Sequence, residues 1–168
     1  MPVMTELHER HKLELVAEVL ASGGTVRLQV LGTSMLPSIW PGDVLRIEPK
    51  PRPEILPGDI VLVARRSRFF VHRLLEKQSS GWIARGDSLP RHDEPIAELQ
   101  VLGRVSLIHN KNGMIVPNRR RSLFSRTLAW MLCHWDSFRN LALRMHSFWQ
   151  RSATLADANA PCLPACGK

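Results

Sequence analysis

The first hydrophobic pattern along the chain has the period of an α-helix. Over residues 5–22, apolar side chains recur at spacings of three and four positions, which places them on one helical face. Gly23 and Gly24 follow directly, and glycine is favoured just past a helix C-terminus. Charged residues within 10–18 exclude a membrane-spanning helix, so the pattern predicts a helix that packs over a sheet. The predicted apolar face consists of Leu13, Val16, Ala17 and Leu20.

From residue 25 to residue 116 the period shortens, and short apolar runs alternate with turn residues. Apolar runs separated by turn residues at roughly eight to twelve positions are typical of an antiparallel β fold. Pro-Gly-Asp occurs at 41–43 and again at 57–59, and Pro followed by Gly suits the centre of a type II turn. We therefore interpret Asp43 and Asp59 as structural. The predicted strands are 25–31, 44–48, 60–64, 69–76, 82–85 and 101–109.

One serine lies in a loop that can display its hydroxyl group. Ser34 comes shortly after the first predicted strand, with Gly32 before it and Pro37 after it. Glycine lets the backbone turn sharply, and proline stiffens the exit from the turn. Nearby backbone N–H groups are then free to face a developing oxyanion. Taken alone, such a serine is more often an ordinary turn residue.

A histidine that can activate Ser34 lies in the apolar run Phe-Phe-Val-His-Arg-Leu-Leu. His72 is preceded by a predicted hairpin at 65–68, which brings it back into the sheet. Histidine is largely unprotonated at neutral pH and can accept the serine proton. A lone histidine in an apolar run is usually a buried core residue, and His92, in a charged stretch, is a rival base. The joint presence of both patterns favours the catalytic interpretation.

Three short motifs occur in an order that resembles the signal peptidase superfamily of serine peptidases. Residues 32–43 carry Gly-x-Ser-Met-x-Pro and then Gly-Asp, which resembles the nucleophile motif. Residues 71–73, Val-His-Arg, resemble the general-base motif, and residues 86–93, Gly-Asp-Ser followed by Asp, resemble the acidic motif. Bacterial type I enzymes and the self-cleaving SOS repressors carry a lysine base. With histidine in that place, the chain is similar to the endoplasmic-reticulum type, also found in archaea and some bacteria.

The resemblance implies a fold and a set of site residues. The fold is mainly β, a signal-peptidase-like β-barrel or coiled sheet with an N-terminal helix and a C-terminal amphipathic helix. Asp87 and Asp93 compete to orient the histidine, and an aspartate after a glycine often only bonds its own backbone. The resemblance places the orienting acid at Asp93 and a supporting acid at Asp87. It also places Gly32 and Met35 beside the substrate and the oxyanion, although many family members carry a serine where Gly32 stands.

Charge is divided unevenly along the 168 residues, whose formal net charge is +8. Through residue 110 there are 14 basic and 13 acidic side chains, and after it 9 basic and 2 acidic. In this basic part, apolar residues recur at alternating spacings of four and three, so that on a helix they form one stripe. The stripe comprises Phe124, Leu128, Met131, Trp135, Phe138, Ala142, Met145 and Trp149.

An amphipathic helix of this kind suits the surface of an anionic membrane, which we expect residues 122–151 to bind. The alternative is that the stripe packs on the catalytic domain or on a partner helix. Binding to nucleic acid is the weakest interpretation, because no nucleic-acid fold motif accompanies the basic charge. No apolar run reaches the length that a membrane span needs.

The domain organisation follows from these patterns. We predict an N-terminal helix over 1–24, a peptidase catalytic domain over 25–117, a basic amphipathic helix over 118–152, and a disordered tail over 153–168. The N-terminal residues lack the apolar core of a cleavable signal peptide. The predicted location is therefore peripheral at a membrane or cytoplasmic.

The predicted function is that of a serine endopeptidase that cleaves a signal or leader peptide through an acyl-enzyme. The partner is a peptide or precursor-protein substrate, and the chemistry needs no cofactor. The histidines show no metal-ligand spacing, and the three cysteines do not form a disulfide framework. Two alternatives stay open: a non-catalytic peptide-binding module on the same fold, and a soluble processing peptidase dedicated to one precursor.

Overall fold

The structure is a computed structural model that describes residues 2–49, 51–65 and 68–120, together with 127–129, 131 and 144. For residues 2–10 and 52 the backbone alone is described.

The chain divides into two compact units, Met1–Trp130 and Met131–Lys168. Every element named below belongs to the first unit. The amphipathic helix predicted over 118–152 lies almost wholly outside the described residues, and the tail predicted over 153–168 lies entirely outside them.

A helix, α1, spans Pro2–Ala21, as the first hydrophobic pattern predicts. The N–H of Gly24 donates to the carbonyl five residues earlier at 2.8 Å, and Gly23 has a φ of 88°. This left-handed glycine ends the helix in the way that the double glycine indicates. Leu20 is buried on the sheet with Val16 beside it, so the predicted apolar face is the one that packs.

Seven strands form one antiparallel sheet, which confirms the mainly β fold. Six of them match predicted strands, one of them at both ends and the others with end shifts of at most two residues, and the seventh is a short strand that follows a tight turn. The strands are β1 Val26–Gln29, β2 Val44–Glu48, β3 Ile60–Arg65, β4 Arg68–Gln78, β5 Gly81–Arg85, β6 Val101–Asn110 and β7 Gly113–Ile115.

The strand order is β1-β2-β6-β3-β4-β5, and β7 pairs with the far end of β6. Strands β1 and β5 stand at the two ends of this path, and among the described residues they do not pair with each other. The sheet is therefore open rather than closed into a barrel. Register shifts in the β2–β6, β3–β6 and β4–β5 pairs bend it locally.

Strand β3 is buried on both faces, which explains its unbroken apolar sequence. Ile60 and Leu62 belong to one hydrophobic cluster, the one that α1 covers. Val61 and Val63 belong to a second cluster on the opposite face. The neighbouring strand β4 is thus held between two cores, and its side chains are fixed on both sides of the sheet.

Both Pro-Gly-Asp segments form the predicted turns. Gly42 and Gly58 each have a φ of 95°, a conformation that glycine adopts without strain. The Oδ2 atom of Asp43 accepts the backbone N–H three residues earlier at 2.8 Å, and that of Asp59 does the same at 3.0 Å. Both aspartates therefore cap turns, as the sequence indicates.

Among the described residues, no helix has the length and apolar character that crossing a membrane requires.

Candidate active site

Ser34 lies in the turn that joins β1 to β2, and this turn is pinned at both ends. The N–H of Val30 donates to Asp43 O, and the N–H of Gly42 donates to Val30 O, each at 2.8 Å. Within the turn, Met35 and Ile39 are buried in the core beneath α1. The backbone around Ser34 is therefore anchored by hydrogen bonds at its base and by apolar side chains along its length.

His72 lies on β4 opposite Val61 of β3, within hydrogen-bonding reach of Ser34. Its Nε2 atom is 3.2 Å from Ser34 Oγ, and its Nδ1 atom is 2.6 Å from Asp93 Oδ2. With the proton on Nδ1, the imidazole donates to the carboxylate, and Nε2 accepts from the serine hydroxyl. The structure thus brings together the three residues that the sequence motifs single out.

The imidazole of His72 is held by packing as well as by hydrogen bonds. It is 7% exposed, and its ring lies 5.1 Å from that of Phe70, centroid to centroid, at an angle of 56°. Phe70 precedes it by two positions on the same face of β4 and packs on the second core cluster. The ring therefore has little freedom to turn away from Ser34.

Asp93 lies in the loop that follows β5. Its N–H donates to Ala84 O at 2.8 Å, and Ile96, three residues on, exchanges two backbone hydrogen bonds of 2.8 Å with Trp82. Glu94 adds an ion pair with Arg65 at the end of β3. These contacts hold the loop against the sheet, and the Asp93 carboxylate faces the imidazole.

Asp87 has a different environment and does not bond the imidazole. Its two carboxylate oxygens accept Nε and a terminal NH2 of Arg73 at 2.9 and 2.8 Å. Ser38 Oγ donates to the same carboxylate. Asp87 therefore links the arginine next to His72 with the turn that carries Ser34, which is a supporting arrangement.

The loop that contains Asp87 also cradles the turn of Ser34. The N–H of Ser88 donates to Ser34 O at 3.0 Å, and Ser88 Oγ donates to Thr33 O at 2.8 Å. Gly86 lies so close that an added Cβ would sit 2.5 Å from Ser34 O. The Gly-Asp-Ser motif therefore holds the serine turn in place by close packing and by hydrogen bonds.

Gly32 and Met35, which are expected beside the substrate and the oxyanion, differ in their exposure. Gly32 is exposed, with no heavy atom within 4 Å of a Cβ built on it. The Met35 side chain is 3% exposed and belongs to the core, so only its backbone is left to face a substrate. Among the described residues, no acceptor takes the N–H of Ser34 or of Met35.

His92, the rival base, is exposed, and its Nδ1 atom lies 3.0 Å from the backbone oxygen of Asp93. Its hydrogen bond is thus to a neighbouring carbonyl. The described residues contain no cluster of three or more histidines, cysteines and acids that could hold a metal ion.

Comparison with known proteins identifies the family at this point. The model of the Peptidase S24-like family matches residues 1–106, which is more than half of the chain and includes the turn of Ser34, His72 and the Asp93 loop. The chain belongs to the Peptidase S24-like family. This family covers the serine peptidase fold that LexA-type repressors share with signal peptidases. Neither the curated proteins nor the solved structures give a significant match.

Membership of the S24-like family confirms the predicted superfamily at the level of its fold. The endoplasmic-reticulum type, with histidine as the base, stays a prediction.

Several contacts around the S24-like site could not be read from the sequence. Ser38 looks like an ordinary loop serine, and Ser88 belongs to the acidic motif without a predicted role, yet each bonds a group in the site. Arg73 follows His72 in its motif, but nothing in its spacing shows which acid it pairs with. Asn118 and Arg119 lie beyond the family-matched residues and also reach this part of the molecule.

Proposed function

We propose that this protein is a serine endopeptidase of the endoplasmic-reticulum signal-peptidase type, which cleaves a signal or leader peptide. Ser34 is the nucleophile, His72 the general base and Asp93 the acid that orients the imidazole. The observation that carries this proposal is the continuous line of hydrogen bonds from Ser34 Oγ through both nitrogens of His72 to Asp93, at 3.2 and 2.6 Å. Membership of the S24-like family supports peptidase chemistry in general terms.

In the proposed reaction, Ser34 Oγ attacks the scissile carbonyl carbon while its proton moves to His72 Nε2. The C–N bond then breaks, and the same proton passes to the leaving amine, which leaves an ester on Ser34. Water attacks this ester with His72 again as the base, and the acid product departs. Asp93 stabilises the imidazolium that forms in each half of the cycle and keeps its own charge.

The oxyanion of each tetrahedral intermediate needs hydrogen-bond donors. The N–H groups of Ser34 and Met35, which have no acceptor in the described part of the chain, are suited to this role, because both lie at the turn that carries the nucleophile. Gly32 has no side-chain donor to add. If the oxyanion hole consists of backbone N–H groups alone, its donors stay in place only when the turn itself is rigid. The contacts of Ser88 and Gly86 hold this turn, so they also position the donors.

The proposed substrate is an extended peptide that lies beside a strand near Ser34 and bonds along its backbone. Strand β1 stands at one end of the sheet path, so it presents an edge to such a peptide. Leu31, just after β1, is 85% exposed. Small side chains near the cleavage point are preferred under this proposal, as the resemblance to signal peptidases implies.

A fluorophosphonate probe tests the chemistry without knowledge of the substrate. Its phosphorus forms a bond to Ser34 Oγ while fluoride leaves, so the purified full chain gains a defined mass on one tryptic peptide. Ser34→Ala should remove the label, and His72→Gln should slow labelling by about a thousandfold or more. Exposed residues supply matched controls, since Ser79→Ala and His92→Gln should label like the native chain.

Synthetic leader peptides with small residues before the expected cleavage point then test peptidase activity, with products identified by mass spectrometry. Cleavage that persists in Ser34→Ala would overturn the assignment of the nucleophile. Peptide binding by a native chain that neither labels nor cleaves would favour the non-catalytic binding module.

We also propose that residues 122–151 bind an anionic membrane surface. The sequence supports this through its aromatic stripe and through the 9 basic side chains that follow residue 110. Apolar burial in the interface and attraction to anionic lipid then act together. The peptidase would be held at the membrane surface, where a hydrophobic leader segment is also found.

Flotation with lipid vesicles tests this second proposal on the full chain. The protein should float with vesicles that contain phosphatidylglycerol, less at high salt because the charges are screened, and little with pure phosphatidylcholine. Trp135→Ser combined with Phe138→Ser should reduce flotation. A native chain that stays at the bottom of the gradient with both kinds of vesicle would favour the soluble processing peptidase.

A further inference from the structure

The guanidinium group of Arg73 is buried, at 4% exposure, and makes five hydrogen bonds. Three go to Asp87 and Ser38, as part of the site described above. The other two leave NH1 for backbone carbonyls, that of Gly58 at 2.8 Å and that of Asn118 at 3.0 Å. Since a guanidinium has five N–H donors, the carbonyl of Asn118 completes its hydrogen bonding.

The residue after Asn118 makes a second contact, to a buried carboxylate. Arg119 Nε donates to Asp59 Oδ1 at 2.6 Å, and a terminal NH2 of Arg119 lies 3.4 Å from Asp59 Oδ2. The Asp59 side chain is 3% exposed, so this arginine supplies most of the charge that balances it, with Arg104 at 3.6 Å. The fit is close, because a Cβ added at Gly58 would lie 2.7 Å from Arg119 O.

These two contacts reach the strand that carries His72. Asp59 and Gly58 extend the ladder between β3 and β4: the N–H of Leu74 donates to Asp59 O at 2.8 Å, and the N–H of Gly58 donates to Leu74 O at 2.7 Å. Leu74 is two residues from His72, and Arg73 is its direct neighbour. A shift of Asn118 and Arg119 would therefore move the part of β4 that carries the imidazole.

We infer that Asn118 and Arg119 are positioning residues of the Ser34–His72–Asp93 site, acting through Arg73 and Asp59. They follow residue 106, where the family match ends, so the working peptidase includes a segment that the family pattern does not contain. The inference rests on the proposed function for its catalytic meaning. Its geometric part, that this segment positions the imidazole relative to Asp93, can be tested without peptidase activity.

Substitution of Arg119 in the full chain tests the inference. Arg119→Gln removes the charge opposite Asp59, whereas Arg119→Lys keeps it. Arg120→Gln is the matched control, because among the described residues Arg120 is bonded through its backbone N–H alone, to Asn118 Oδ1 at 2.9 Å. Each variant is compared well below its melting temperature, so that differences in rate arise from folded protein.

Two readouts separate positioning from simple loss of stability. The first is the rate of fluorophosphonate labelling at Ser34, which should fall about tenfold or more in Arg119→Gln, because small misplacements are costly in rate. Arg119→Lys should recover much of it, and Arg120→Gln should be unchanged. The second is the low-field proton resonance of the His72 Nδ1–H, assigned by its loss in His72→Gln. It should shift or broaden in Arg119→Gln alone.

The outcomes are distinguishable from those of the proposed function. A native chain that does not label, but whose imidazole resonance moves in Arg119→Gln, would overturn the peptidase proposal and keep the positioning. A lowered melting temperature with unchanged labelling and an unchanged resonance would overturn the inference and make Arg119 a purely stabilising residue.

Discussion

At the scale of single residues, the two aspartates of the acidic motif differ in what surrounds them. Asp93 has an imidazole as its side-chain partner, in a loop fixed by backbone hydrogen bonds. Asp87 has a guanidinium and a hydroxyl, and its side chain is almost fully buried. One carboxylate therefore bonds the imidazole, and the other links the strand of His72 to the turn of Ser34.

We expect Asp93→Asn and Asp87→Asn to fail in different ways. Asp93→Asn should lower the labelling or cleavage rate by about ten-thousandfold with little change in melting temperature, because the imidazole loses its tautomer partner. Asp87→Asn should instead lower the free energy of unfolding by about 3–5 kcal/mol, since Arg73 is left buried without its counter-charge. Rates and melting curves of both variants check this, and the reverse pattern would exchange the two roles.

Substitution of Gly32 by serine is expected to raise the reaction rate rather than lower it. A side chain fits there without contact, and Gly32 does not have a positive φ, so Gly32→Ser should fold normally. Its hydroxyl would add a donor beside the proposed oxyanion hole, and because one donor is worth about a hundredfold in rate, we expect acceleration of about tenfold or more. Gly32→Ala is the control for the added carbon. Equal rates for the two variants would show that the added hydroxyl does not reach the oxyanion.

At the scale of the elements, the site is assembled from one strand and two loops that approach it from different parts of the chain. His72 is fixed by β4, while Ser34 and Asp93 belong to the β1–β2 connection and the loop after β5. The Gly86 loop lies close against the Ser34 turn, and we expect this contact to set the distance between the hydroxyl and the imidazole.

Gly86→Ala tests that contact. The added carbon would lie 2.5 Å from Ser34 O, so the turn or the loop must move. We expect labelling at Ser34 to fall about a hundredfold, in line with the cost of an ångström-scale displacement, while the sheet keeps its circular dichroism spectrum. Ser80→Ala, on the exposed turn after β4, is the control. A native rate in Gly86→Ala would mean that this contact does not set the position of the nucleophile.

Most elements could be predicted from the sequence, because the spacing of apolar residues along each element reflects which of its faces is buried. The α1 face around Leu20, the strand over Val44–Glu48 and the two Pro-Gly turns are local consequences of side-chain pattern and glycine geometry. The strand order, in which β6 lies between β2 and β3, depends on contacts between distant residues, and no local pattern encodes it.

The same distinction applies to the site. Ser34 and His72 stand out because their motifs are short and contiguous, and the resemblance to signal peptidases favoured Asp93, with which the His72–Asp93 hydrogen bond agrees. The residues alone left Asp87 open as a rival, because it is an acid in the same motif, although an aspartate after a glycine often only bonds its own backbone. The partners of Arg73 could not be predicted, because they come from residues as far apart as Ser38 and Asn118.

At the scale of the whole molecule, Asp59 links stability to pH. Burial raises the pKa of this carboxyl, but the hydrogen bond from Arg119, the backbone N–H of Leu56 and the charges of Arg119 and Arg104 outweigh it, and the net pKa is lowered from its ordinary 3.8. A group whose folded pKa is depressed stabilises the fold above its unfolded value, and that contribution is lost as the pH falls through the folded value.

We therefore expect the native chain to be more stable than Arg119→Gln at neutral pH, with a difference that stays constant down to about pH 4 and shrinks below it. Because Arg119 is partly exposed, high salt should also reduce the difference. Urea unfolding of both proteins from pH 7 to pH 2.5 measures this. A difference that grows toward acid pH would contradict the lowered pKa of Asp59.

The late position of Asn118 in the chain has a consequence during synthesis. Ser34, His72 and Asp93 all leave the ribosome before the carbonyl that completes Arg73, and 25 residues separate Asp93 from Asn118. At translation rates of about 5–20 residues per second, these three side chains exist for about one to five seconds before their support is finished. In this order of synthesis, the hydrogen bonding around Arg73 is complete only after the carbonyl of Asn118 has been added.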